Sequence, residues 1–425
     1  MGLKIVLSTF GSLGDLNPYL GIALGLKSRG HAPVVATSGF YREYVEGAGV
    51  GFHPVRPDLS TDDRETIRRI MDPKEGLEFL VRGVMLSRLR ESYLDMEEAL
   101  RGASLLVTHP LSFAGRVAAE KLRIPWVSTV LAPASFLSEW DPPVLPELSF
   151  LRNLRVLGPA VNRWIYGRLP NLYTRKWVDP VRRLREELGL PAGRNPLFEG
   201  QHSPDLVLAL FSPVFATPQK DWPDRTVVTG FVTCDRDPYG EEMNEKLDRF
   251  LGEGHPPIVF TLGSSAVFEA GNFYRDSAKA ATALGKRAVL LVGKGLIQDV
   301  PDPLPGGVAA FPYAPYSEIF PRCAALVHSG GIGTVAQAMR SGKPSLAVYY
   351  GFDQPDNAAR MARLGTGKVV PAKKYTADLA ASLLREILDN PVYAERASSV
   401  GDRVRAEDGA GTACAAIERF LRGAQ

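Results

Sequence analysis

Residues 328–334 read His-Ser-Gly-Gly-Ile-Gly-Thr, after the short apolar run Ala325–Val327 and before a helix-compatible segment. Glycines let backbone N–H groups approach an anion closely, and the first turn of a helix adds a partial positive charge. His328 can donate from its ring and Thr334 from its hydroxyl. With the amides of Gly330, Gly331, Ile332 and Gly333 they form a candidate cradle for a diphosphate. Many nucleotide-binding folds share such a glycine pattern. Asp353-Gln354, about one strand–helix unit downstream, narrows the reading, because a carboxylate and an amide at a strand end suit the hydroxyls of a sugar. The plain alternative for His328 is a buried core histidine.

Other motifs carry less. Asp235-Arg236-Asp237 is a literal DxD, a metal–diphosphate signature, but it does not follow a convincing nucleotide-binding strand. Ser341-Gly342-Lys343-Pro344 lacks the upstream glycine and the following Ser or Thr of a P-loop. Neither GxSxG nor HExxH occurs.

These residues need a scaffold. Lys4–Thr9 is an apolar run ending at Gly11 and Gly14, followed by a helical pattern from about Pro18 to Arg29 and a second apolar run, Pro33–Thr37. That is a βαβ unit and implies a parallel sheet. Leu105–Thr108, Trp126–Leu131 and Leu206–Leu210 continue the theme. A second series starts at Ile258–Leu262, with Ala288–Val292, Ala309–Phe311, Ala325–His328 and Ser345–Val348 as further strands. Each half reads as a doubly wound α/β domain, and two such domains facing each other would leave an interdomain cleft. The predicted boundaries are an N-terminal acceptor-binding domain over 1–215, a linker over 216–238, a C-terminal nucleotide-sugar-binding domain over 239–405 and a C-terminal helix over 406–425.

Composition excludes several classes. The chain has 425 residues, 45% hydrophobic and 23% charged, with a net charge of +3, which is ordinary for a globular protein and gives no global pull toward nucleic acid. A basic bias between Arg152 and Arg194 reads mainly as a solvated helical surface, with a membrane-surface patch as the lesser reading. Cys234, Cys323 and Cys414 are scattered and support neither a disulfide framework nor a zinc site. No apolar run reaches the roughly 18 residues of a membrane span, and the N-terminus fits neither a signal peptide nor a myristoylation pattern. A cytoplasmic location is expected.

HSGGIGT and GFDQPDNA, within residues 311–367, resemble the donor-binding signature of the family 1 glycosyltransferases of GT-B fold. The likeness is to the bacterial and fungal branch with sterol glucosyltransferases, glycopeptide-antibiotic glycosyltransferases and rhamnolipid-type rhamnosyltransferases. It implies that Tyr313 stacks on the nucleobase, that His328 and the amides of Gly331 to Thr334 hold the diphosphate, and that Asp353 and Gln354 bind the sugar. Gly263 and Ser264 match a second phosphate-contacting turn. Where plant members carry a glutamate for both ribose hydroxyls, this chain has Ala336, which leans toward a dTDP carrier, or relaxed choice between dTDP and UDP.

The same resemblance makes Gly11–Pro18 the acceptor-side turn and Asp15 the general base. A base must come within about 3 Å of the acceptor hydroxyl. The plain alternatives are that Asp15 or Asn17 only caps a helix. His109 is expected on the acceptor side, as a base, an orienting partner or, first, a satisfied polar residue; His31 reads as a turn residue. Phe10, Phe113, Phe136 and Trp140 are the candidate acceptor walls. Aromatics through 140–177, including Phe150, Trp164, Tyr166, Tyr173 and Trp177, suggest an apolar pocket or core packing. The reading is an inverting, metal-independent hexosyl transfer, without cofactor, from a UDP- or dTDP-sugar to an apolar acceptor such as a flavonoid, sterol or hydroxy lipid. The competing readings are an epimerase or phosphorylase of the same fold and a non-catalytic helper.

Overall fold

In the computed structural model, all residues are described except 1, 61–62, 73, 145–157, 236–240, 294–299, 301–302 and 424–425. Phe150, Arg152 and the last two residues of the DxD motif lie outside the described residues.

The chain forms two compact units, Met1–Cys234 with Asp408–Gln425, and Asp235–Glu407. The first is built on seven parallel strands: β1 (Lys4–Ser8), β2 (Ala32–Thr37), β3 (Gly51–Pro54), β4 (Leu105–Thr108), β5 (Trp126–Val130), β6 (Val207–Ala209) and β7 (Thr226–Val228), in the order β3-β2-β1-β4-β5-β6-β7. The second has six: β8 (Ile258–Thr261), β9 (Ala288–Leu291), β10 (Val308–Phe311), β11 (Ala325–His328), β12 (Ser345–Tyr349) and β13 (Gly367–Pro371), in the order β10-β9-β8-β11-β12-β13. All pairings are parallel, with Ile5 opposite Leu105 and Ala325 opposite Ile258. Central strands such as β4, β8 and β11 are buried throughout, so they read as continuous apolar runs.

Each order reverses once, between β1 and β4 in the first sheet and between β8 and β11 in the second. Ligands bind doubly wound sheets at this reversal, beyond the carboxyl ends of the strands. The helix start holding Asp15 follows β1, and His109 follows β4. Gly263 follows β8, and the His328 loop follows β11. Topology thus gathers the singled-out residues at the two reversal points.

Three strands differ from the sequence reading. Strands β3, β7 and β13 are edge strands, only partly buried, and the cue of an unbroken apolar run fails for them. β7 lies inside 216–238, so part of the segment expected as a linker is the last strand of the first sheet. The final helix, Gly409–Gly423, packs on the helix Leu13–Ser28 of the first unit, where Arg29 and His31 both meet Glu418.

Candidate functional site

In the second unit, β11 delivers His328 into the loop that starts the helix Ile332–Ser341. Gly330 has φ +85°, a left-handed conformation that glycine adopts without strain. A Cβ there would also stand 3.2 Å from the Gln354 carbonyl oxygen. The helix N-cap is Gly331, and no side chain caps it, so its first amides could hold an anion. The backbone N–H of Gly330 donates to His328 Nδ1 at 3.1 Å, which puts the ring proton on Nε2. The ring is fully buried, and Nε2 has no hydrogen-bond partner among the described residues. An orphaned buried donor costs about 1–3 kcal/mol and asks for a ligand acceptor.

Gly263 (φ +72°) is tied into this loop, since a Cβ on it would meet Thr334 Oγ1 at 3.3 Å. Ser329 Oγ donates to the Leu262 carbonyl at 2.9 Å. Ser264 sits in the short turn Gly263–Ala266. Gln354 Oε1 accepts from the amides of Tyr350 and Gly351 at 2.8 and 3.4 Å, which leaves its amide nitrogen as the end for a ligand. Tyr313 lies just beyond β10, half-buried, and stacks toward Tyr316 with ring centroids 6.5 Å apart. Its hydroxyl donates to Asp235 Oδ1 at 2.9 Å, and Asp235 Oδ2 accepts from the Ser317 amide at 2.7 Å. The first carboxylate of the DxD motif thus anchors an aromatic.

In the first unit, the helix begins at Leu13, earlier than its pattern suggests, and Ser12 is the N-cap. Asp15 is the third helical residue, and its Oδ2 accepts from the Ser12 amide at 2.8 Å and hydroxyl at 3.2 Å. Asn17 does no capping; its Oδ1 accepts from the Tyr44 hydroxyl at 3.0 Å. The other carboxylate oxygen of Asp15, Oδ1, lies 3.6 Å from His109 Nε2. The Leu111 amide donates to His109 Nδ1 at 3.1 Å, so the proton sits on Nε2, facing Asp15. Gly11 (φ +128°) permits this arrangement, because a Cβ there would lie 2.3 Å from Asp15 Oδ2. Asp15 therefore caps the helix with one oxygen and presents the other to His109.

The family of the erythromycin biosynthesis protein CIII-like C-terminal domain matches residues 280–415. O-mycaminosyltylonolide 6-deoxyallosyltransferase of Streptomyces fradiae is 32% identical over 98% of this chain and 97% of its own. The chain belongs to the family 1 glycosyltransferases. A sterol 3-beta-glucosyltransferase of Cryptococcus neoformans var. neoformans is 28% identical over 99% of this chain, which spans 27% of that protein. The solved structure of the glycosyltransferase VinC in complex with dTDP has a TM-score of 0.67 at 20% identity, covering 99% of this chain and 100% of that one. The two Rossmann-like sheets are those of the GT-B fold.

This glycosyltransferase has a small pocket in its first unit, lined by Phe10, Val55, Met85, Leu89, Met96, Leu111 and Phe113 together with Ser8, Thr9, Arg56, Ser92 and Ser112. Of the aromatics proposed as acceptor walls, Phe10 and Phe113 line it. Phe136 instead packs in a cluster of its own, stacked on Trp222 at 4.1 Å and on His202 at 5.4 Å. Trp140 is 46% exposed, with Lys220 Nζ 4.9 Å from its ring. Both were expected as aromatics of first-half loops, a signal that does not distinguish a pocket wall from a core or a surface.

Asn357 was missed. It is fully buried, and its amide nitrogen donates to the Gly330 carbonyl at 3.0 Å and to Asp353 Oδ2 at 2.7 Å. Both contacts are acceptors, which fixes the amide orientation. One side chain thus clamps the loop after His328 to the Asp353 carboxylate. The i, i+4 spacing of Asp353 and Asn357 on a helical segment was a usable signal.

Burial lowers the His328 pKa to about 4, and burial with the nearby Arg116 guanidinium does the same for His202. Both fall below the unfolded value of about 6.5, so the unfolded chain takes up protons first as pH drops. Each ring therefore contributes stability at neutral pH that is lost between pH 6.5 and 4, on the order of 3 kcal/mol. Melting temperature should fall through that window, and His328→Gln should flatten the fall. An identical slope in that variant would show that His328 is not the group responsible.

Proposed function

We propose that this glycosyltransferase moves a hexose from a dTDP- or UDP-sugar to a hydroxyl of a bulky apolar acceptor, with inversion and without a metal. The observation that carries the donor half is the fully buried His328 Nε2–H, without an acceptor among the described residues, beside the helix start at Gly331 that no side chain caps. These donors suit the charge that grows on a departing diphosphate. Asp353 and Gln354 then hold the sugar, with Asn357 fixing Asp353. Tyr313 stacks on the base. Ala336 offers no carboxylate to a ribose 2′-hydroxyl, which favours dTDP, the nucleotide bound to the related VinC.

On the acceptor side Asp15 takes the proton of the attacking hydroxyl, and the His109 Nε2–H orients its carboxylate. Attack on the anomeric carbon opposite the diphosphate breaks the C–O bond to phosphate as the new one forms, so the configuration inverts. The pocket of the first unit mixes aliphatic, thioether and aromatic side chains with the hydroxyls of Ser8, Thr9, Ser92 and Ser112 and the Arg56 guanidinium. A macrolactone or sterol alcohol, rather than a flat phenolic, is the acceptor class favoured by the tylonolide and sterol in the relatives' names.

A donor-by-acceptor screen read by mass spectrometry tests this, with dTDP- and UDP-hexoses against macrolactones, sterols and phenolics, with and without EDTA. Transfer to an aliphatic polycyclic or macrocyclic alcohol, unaffected by EDTA and giving the inverted anomer by NMR, is expected. A retained anomer would rule out direct displacement, and turnover confined to phenolics would overturn the acceptor assignment.

A further inference from the structure

Between Glu147 and Asp179 the sequence contains no acidic residue but six cations: Arg152, Arg155, Arg163, Arg168, Arg175 and Lys176. Within this stretch a helical run extends from Pro159 to Thr174, and its middle, Arg163–Arg168, is π-helical. The wider π turn brings residues four apart into line along the run. One such line, Asn162, Tyr166 and Thr174, is buried, with Pro170 half-buried between them. It seats the run on the first unit; Tyr166, for instance, donates to the Pro143 carbonyl at 3.0 Å.

The remaining lines face outward, apart from the half-buried Ile165 and Asn171. One carries Val161, Leu169 and Tyr173, at 43%, 47% and 68% exposure. Another alternates Trp164, Arg168, Leu172 and Lys176, with Trp164 55% and Leu172 66% exposed. Large apolar side chains exposed at this density are unusual on a monomer and mark a contact surface. Arg163 is paired with Glu139, whereas Arg168, Arg175 and Lys176 are exposed beside the apolar side chains.

We propose that the run Pro159–Thr174 is a membrane-surface element, which lies in the headgroup layer of an anionic lipid bilayer. Trp and Tyr favour that layer, leucines reach the acyl boundary, and Arg and Lys extend along apolar surface to place their charge among phosphates. The uniformly positive charge matches an anionic leaflet. An enzyme whose acceptor is apolar meets that acceptor at higher local concentration in such a layer. The inference stands on the exposed face and its charge, whichever sugar is transferred.

The full chain should be sedimented with vesicles of phosphatidylcholine alone and with about 30% phosphatidylglycerol, at about 0.1 M salt. We expect about tenfold or greater preference for the anionic vesicles, weakened by high salt. Trp164→Ser with Leu172→Ser, and separately Arg168→Glu with Lys176→Glu, should each lower that binding about tenfold while circular dichroism and melting stay unchanged. Wild-type protein left in the supernatant, or folded variants that bind like wild type, would overturn the proposal. So would a concentration-dependent dimer in light scattering that the Trp164→Ser, Leu172→Ser variant loses, because the face would then join two copies of the chain.

Discussion

Asp15→Asn should lower kcat by about a thousandfold, within the 10²–10⁴ range of a positioned base, and leave nucleotide affinity unchanged. The geometry makes this substitution informative. In the native chain Oδ2 receives the Ser12 amide and Oδ1 faces the His109 Nε2–H, so both oxygens meet donors. An asparagine offers one acceptor and one donor. It can keep the cap or the His109 contact but not both, and it accepts no proton from an alcohol. The stability cost should stay near 1 kcal/mol, the value of a helix cap, so lost turnover will not be lost fold. Single-turnover kinetics beside calorimetry of nucleotide binding separate the two. Near-normal turnover in Asp15→Asn would remove the carboxylate from the base role.

Asn357→Ala should weaken donor affinity about a hundredfold, about 2.7 kcal/mol, and lower kcat as well. The truncation strips two hydrogen bonds of a fully buried amide, one of them to the partly buried Asp353 carboxylate. The Gly330 carbonyl and Asp353 Oδ2 each lose a partner, at about 1–3 kcal/mol for the buried carbonyl and less for the partly buried carboxylate. The loop that presents the Gly331–Thr334 amides and the carboxylate that holds the sugar then move independently. Donor KM measured with sugar nucleotide and Kd measured with bare nucleoside diphosphate should both rise. Acceptor KM, set in the first unit, should not. A variant that melts lower yet keeps native donor KM would make Asn357 a purely structural residue.

Much of this was legible in the sequence because the relevant signals are local. Buried parallel strands write themselves as apolar runs, so β1, β4, β8, β11 and β12 and the loops after them could be read directly. The edge strands β3, β7 and β13 could not, because half-exposed strands need no such run. The HSGGIGT and DQ elements were visible as residue types at fixed spacing. Their clamp was not, because Asn357 acts through its neighbours. Nor does a side chain type announce its surroundings. Phe113 and Phe136 look alike in sequence, yet one lines the cavity and the other stacks on Trp222. Trp164 and Tyr173 read as pocket or core residues but stand in solvent, and only the buried line through Tyr166 shows which way the helix faces.

The central claim is that the loop after His328 seats a diphosphate, and titration calorimetry of the full chain with dTDP and UDP tests it most directly. Saturable one-site binding is predicted, weakened by Asn357→Ala and untouched by Asp15→Asn. Absence of binding to every nucleoside diphosphate and sugar nucleotide tried would contradict the account, as would affinity indifferent to Asn357.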